Sequence, residues 1–145
     1  MRSNLIRYLF VSASLFLALP LAKDLKTEAR AQDQEARVIQ VTAKKYEFSP
    51  SVVHVKAGTK VQLEISAIDT DHGFKSATVP DGADPSTRLG LEFSPPQGRA
   101  GWKLKKDQMI TIEFLAKTPG RYEFRCSVAC GIHHGRMKGQ LVVDP

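Results

Sequence analysis

Apolar and polar residues alternate along most of the chain beyond residue 36. Val61, Leu63 and Ile65 alternate with Gln62, Glu64 and Ser66, which is the period of a strand with one buried face. Ile110, Ile112 and Phe114 repeat the pattern against Thr111 and Glu113. The same spacing puts Val53 and Val55 on one face of a strand over 51–56, and Tyr122 and Phe124 on one face of another. Val38, Ile39 and Val41 open the series, and Leu141 and Val143 close it. Turn residues separate these runs: Ser49-Pro50, Lys56-Ala57-Gly58-Thr59 and Thr118-Pro119-Gly120, with Gly58 suited to a positive φ. No segment sustains a 3.6-residue period. Short strands broken by Gly and Pro turns predict an all-β fold, a Greek-key β-sandwich in which strands near the two ends of the chain pair.

Two stretches depart from this pattern. Residues 79–106 hold Pro80, Pro85, Pro95 and Pro96 together with Gly82, Gly90, Gly98 and Gly101, and read as a long inserted loop. Within it Asp84 to Gly90 has the signals of one short helix: Asp84 as cap, Pro85 at the first position and Gly90 at the end. Two readings of the insertion stay open: a solvent loop without a chemical role, or a cover or docking surface near the site described below. Residues 1–31 read as an export signal. Arg2 and Arg7 precede an apolar run, Tyr8 to Ala22, shorter than the ~20 residues that span a bilayer. Ala29-Arg30-Ala31 offers a cleavage site after Ala31, and retention as an uncleaved membrane anchor is the alternative. Residues 32–36 form a polar linker, and 37–145 the expected folded domain.

Charge narrows the partners. The 145-residue chain carries a formal +6, of which Arg2, Arg7, Lys23, Lys26 and Arg30, less Asp24 and Glu28, account for half. The small excess on the domain, with no basic stripe and interleaved aromatics, excludes nucleic acid as the expected partner. It also suits a strongly basic partner poorly.

The chemistry concentrates in Cys126-Ser127-Val128-Ala129-Cys130-Gly131-Ile132-His133-His134-Gly135-Arg136-Met137. This stretch holds both cysteines, two of the four histidines and one of the three methionines, between two strand-like segments. Thiolate, imidazole and thioether are the donors copper prefers to hard oxygen ligands. His72, in Asp71-His72-Gly73-Phe74, is the best further donor. Two cysteines four apart can also form a disulfide, but a bridge closing so small a loop gains little entropy and leaves the His and Met without a role.

The spacing Cys126, Cys130, His134, Met137 with an upstream His72 resembles the copper loop of the CuA domain, found in subunit II of haem-copper oxidases and in nitrous oxide reductase. Tyr46-Glu47-Phe48-Ser49-Pro50, Val55 to Leu63 and Pro119 to Cys126 are also similar to cupredoxin strands and turns. The likeness covers roughly residues 37–144 outside the insertion. His72 and Cys126 are 54 residues apart, which is long for the family, and the excess falls in 79–106. The resemblance implies a cupredoxin-like fold and two copper ions bridged by Cys126 and Cys130. His72 and His134 would each bind one ion, Met137 would be a weak axial ligand to one, and the Val128 backbone carbonyl to the other. Where the family carries Glu or Gln, this chain has Val128; a carbonyl ligand survives that change, but a polar side-chain contact does not.

The implied function is single-electron transfer on the outer, periplasmic side of the cytoplasmic membrane. A c-type cytochrome would be the donor and a terminal oxidase or reductase the acceptor. No general base, nucleophile or open metal position suggests catalysis on a substrate. Two alternatives remain: a mononuclear type 1 site from Cys130, His134, Met137 and His72, with Cys126 spare, or a periplasmic copper carrier, against which the scarcity of methionine counts. A Cys2His2 zinc site leaves Met137 unexplained. His133 is expected to face solvent, His54 to lie on the outer face of its strand, and Asp69 and Asp71 to line a loop rather than orient His72. Trp102 is expected at the edge of the core, and Arg121, Arg125 and Arg136 on a solvated face.

Overall fold

A computed structural model describes residues 35–84, 86 and 89–145. The expected export segment 1–31 and most of the linker lie outside them, as does part of the helix expected over 84–90. There the Asp84 carboxylate accepts the Ser86 N–H and hydroxyl, as a cap does.

The domain is a sandwich of two five-stranded sheets. The first is ordered β2 (Glu47–Ser49), β1 (Arg37–Lys44), β4 (Lys60–Ala67), β8 (Gln108–Ala116), β6 (Leu91–Ser94). The second is ordered β3 (Val52–Lys56), β10 (Lys138–Asp144), β9 (Gly120–Arg125), β5 (His72–Ser76), β7 (Trp102–Leu104). The alternations seen in the sequence are the buried faces: Val61, Leu63 and Ile65 on β4, Ile112 and Phe114 on β8, Tyr122 and Phe124 on β9. Phe48 meets Phe74 and Phe124 edge-on, at centroid separations of 6.0 and 5.3 Å, and so ties the two sheets together.

The expected pairing of strands near the two ends of the domain is present: β3 runs parallel to β10, while the first strand, β1, runs parallel to β4. The chain changes sheet at Ser49-Pro50-Ser51, where Pro50 has no N–H to give a ladder. That sends β3 to the opposite sheet, where β10 completes it. One expectation is corrected: the 79–106 stretch is not simply a loop. Leu91 and Phe93 alternate with Glu92 and Ser94 and form β6 on the edge of the first sheet. Trp102–Leu104 adds β7 to the edge of the second, opposite His72–Phe74. Trp102 is half-buried against Phe74 and Phe93, the core-edge position expected.

The insertion is fastened to β5 by particular groups. The Gln97 amide donates to the Ser76 carbonyl (2.9 Å) and accepts from the Ser76 N–H (2.8 Å), standing in for a neighbouring strand. Gly101, at φ 70°, lies so close to the Phe74 carbonyl that a Cβ would sit 2.2 Å from it.

Candidate metal centre

β9 delivers the chain to Cys126, and β10 takes it up again after Met137. The Cys126 N–H donates to the Met137 carbonyl at 2.9 Å, pinching the loop at its base. Inside the loop, His134 N–H reaches the Gly131 carbonyl, and a 3-10 turn over His134–Arg136 lets Met137 N–H reach the His134 carbonyl at 3.0 Å. These turns fold the loop back so that its donors face one point. Gly131 has φ 138° and lies against the Tyr46 hydroxyl, where a Cβ would come within 2.6 Å.

All six groups named from the sequence come together. His72 Nδ1 is 3.9 Å from Cys126 Sγ, the two sulfurs are 3.8 Å apart, and His134 Nδ1 is 3.8 Å from Cys130 Sγ. The Val128 carbonyl is 3.1 Å from Cys126 Sγ, and Met137 Sδ is 3.8 Å from Cys130 Sγ. The ligand atoms of His72, Cys126 and Cys130 all lie within 4.8 Å of one another. His72, Cys126, Cys130 and Met137 are buried, while His134 reaches the surface. Both cysteines are free. Two buried thiols facing two imidazoles and a thioether form the soft donor set that fits copper.

One reading of the surroundings is corrected. Asp69 does more than line a loop: its Oδ1 is 2.7 Å from His72 Nε2. With Nε2–H given to the carboxylate, Nδ1 is left as the free donor facing Cys126. Burial raises the Asp69 carboxyl, but the Lys45 N–H, the His72 ring and the Thr70 N–H outweigh it and hold it below the ordinary value. Asp71, by contrast, turns outward to the Lys105 ammonium (2.6 Å) and the Lys106 N–H. Burial, followed by the neighbouring Cys126 thiol, pushes the Cys130 thiol up to about 11.

Sequence reasoning missed Gly73. Its N–H points at Cys126 Sγ from 3.4 Å, and its missing side chain admits the loop, since a Cβ would stand 2.4 Å from Ser127 Oγ. The signal was a glycine directly after the candidate ligand. His133 and His54 lie where expected: His133 is exposed, edge-on to Tyr46, and His54 is on the outer face of β3, facing Asp144 at 3.2 Å.

A two-sheet sandwich with soft donors gathered at one end defines a cupredoxin architecture, and the comparison with known proteins agrees. The chain belongs to the cupredoxin-like domain family, whose profile matches residues 10–143. It is 25% identical over 105 residues to cytochrome c oxidase subunit 2 of Thermus thermophilus, an alignment covering 72% of this chain. The chain spans 64% of that relative's length and 51% of a second subunit 2 from the same species. Among solved structures it is similar to auracyanin A, a "blue" copper protein of Chloroflexus aurantiacus, with TM-score 0.56 and 19% identity over 76% of this chain and all of that one. It is also similar to a chain of a haem-copper terminal oxidase dimer, with TM-score 0.54 and 15% identity over 78% of this chain and 68% of that one. Among the described residues no helix is long and apolar enough to cross a membrane.

Proposed function

We propose that this protein is a copper electron-transfer domain with a binuclear, CuA-like centre held by His72, Cys126, the Val128 carbonyl, Cys130, His134 and Met137. The observation that carries the reading is the paired layout of the donors. Each sulfur has its own imidazole Nδ1 and its own weak donor: Cys126 has His72 and the Val128 carbonyl, and Cys130 has His134 and Met137. A pair of ions would use all six donors, whereas a single ion held by His72, Cys130, His134 and Met137 would leave Cys126 and the Val128 carbonyl idle. When bound, the copper pair supplies a centre that gains and loses one electron.

The residues of the chain do the rest. The Asp69 carboxylate fixes the His72 tautomer. The sandwich and the pinched loop hold the donors in place whether or not the electron is present, which keeps reorganisation small. His134, half-exposed, is the ligand a partner can approach. The likeness to oxidase subunit 2 supports a terminal oxidase or reductase as acceptor and a c-type cytochrome as donor, outside the cytoplasmic membrane. On this reading the domain carries electrons and leaves catalysis to the complex it serves.

The test is copper loading of the domain, read by metal content, visible spectrum and electron paramagnetic resonance. Two coppers per chain, a purple colour and hyperfine coupling to two nuclei are expected, and Cys126→Ser should abolish all three. One copper with a blue colour that survives Cys126→Ser would replace this reading by the type 1 alternative, which the fold shared with auracyanin A favours. A colourless protein that surrenders Cu(I) readily to a chelator would indicate a carrier.

A further inference from the structure

The insertion contributes Arg99 and Ala100 to a groove beside the metal centre. The groove has a volume of about 320 Å³ and is lined by Lys75, Arg99 and Arg125 together with Ser127, His134 and Met137 of the metal loop. Lys75 and Arg125 are directly opposite on β5 and β9, and Lys138 on β10 is opposite Arg125 in turn. Like charges facing each other across a sheet oppose folding, so an arrangement of this kind calls for a compensating charge. The chain supplies little. The nearby Glu123 carboxylate is held by Lys138 at 3.1 Å, and among the described residues Lys75 donates only to the Arg99 carbonyl, at 2.7 Å. Among the described residues the guanidinium groups of Arg99 and Arg125 have no hydrogen-bond or ion-pair partner. The Ser127 hydroxyl, its oxygen shielded from solvent, also lacks one. The carboxylates on the other side of His72 are engaged: Asp69 by the His72 ring and Asp71 by Lys105.

We propose that this groove receives a carboxylate-bearing face of the redox partner, with Arg99 and Arg125 taking the carboxylates and Lys75 adding charge, so that the partner is seated against His134. The assignment rests on the electron-transfer reading for its purpose, but the groove can be tested without metal. Guanidinium groups suit the task because they bind carboxylates through two parallel hydrogen bonds. The positive groove also selects against a basic partner, since opposed potentials steer encounter and like potentials prevent it. The partner is therefore expected to be an acidic protein.

The experiment is an NMR titration of the metal-free domain with hexaglutamate at low salt, alongside hexaserine and inorganic phosphate. Shifts are expected at residues 75, 99–101 and 125–127, weakening with added salt. The double reversal Arg99→Glu/Arg125→Glu should reduce affinity roughly tenfold or more. Lys56→Glu, at the far end of β3, should leave it unchanged. Shifts scattered over other basic residues, or binding indifferent to the double reversal, would overturn the proposal. Phosphate binding as tightly as hexaglutamate would overturn it in favour of a small-anion site. Copper content measured on the same variants answers the metal reading separately, since neither arginine is among the donors.

Discussion

His72 presents Nδ1 to the sulfurs because Asp69 occupies its other nitrogen. Asp69→Ala is therefore expected to weaken copper binding about 10–100-fold without unfolding the domain, and Asp69→Asn, which keeps an acceptor, to weaken it less. Competition with a Cu(I) chelator measures both. Cys130 gives a second prediction. Its thiol is raised to about 11 in the folded, metal-free protein, above the roughly 8.5 of an unfolded chain. The stability this confers is complete below the unfolded value and is lost as pH rises from there through about 11. Urea midpoints of the metal-free domain should fall over that window, and Cys130→Ser should flatten the fall. The donors themselves were readable from the sequence because five of them lie within twelve residues, where spacing alone restricts the geometry. The role of Asp69 was not, because Asp69 and Asp71 flank the same turn and only the backbone path decides which one faces the ring.

At the scale of elements, β5 carries more than its five residues suggest. It holds His72, lends the Gly73 N–H to Cys126 and anchors the insertion through Ser76. A Cβ on Gly73 would collide with Ser127 Oγ and approach the Val128 N–H, groups that cannot retreat without moving the loop. Gly73→Ala is expected to cost about 1–3 kcal/mol of stability and to impair copper uptake. Gln97→Ala would leave two buried backbone groups of Ser76 without partners, at a cost of about 1–3 kcal/mol each at most. Urea denaturation of the metal-free variants checks both, and only Gly73→Ala should also disturb the visible spectrum. The strands with clear alternation were legible, including β4, β8 and β9. β6 and β7 were not, since four and three residues among prolines and glycines carry too little period; they are strands because an open sheet edge lies beside them.

For the whole molecule, a sandwich followed from the sequence, whereas its parallel pairs, β1 with β4 and β3 with β10, depend on where the chain changes sheets and left no local mark. A metal bound between β5 and the loop after β9 would join positions 54 residues apart. A ligand that binds the folded state in preference to the unfolded one stabilises it, so on the proposed reading copper should add about 2.7 kcal/mol at a free concentration a hundred times the dissociation constant and raise the melting temperature accordingly. Calorimetry with and without copper tests this. The parallel pair of β3 and β10 has one more consequence. Among the described residues β3 has no neighbour in its sheet except β10, and every proposed donor but His72 lies between β9 and β10. A chain leaving the ribosome thus keeps β3 without its partner until β10 has emerged, and one that stalls before Cys126 lacks five of the six proposed donors.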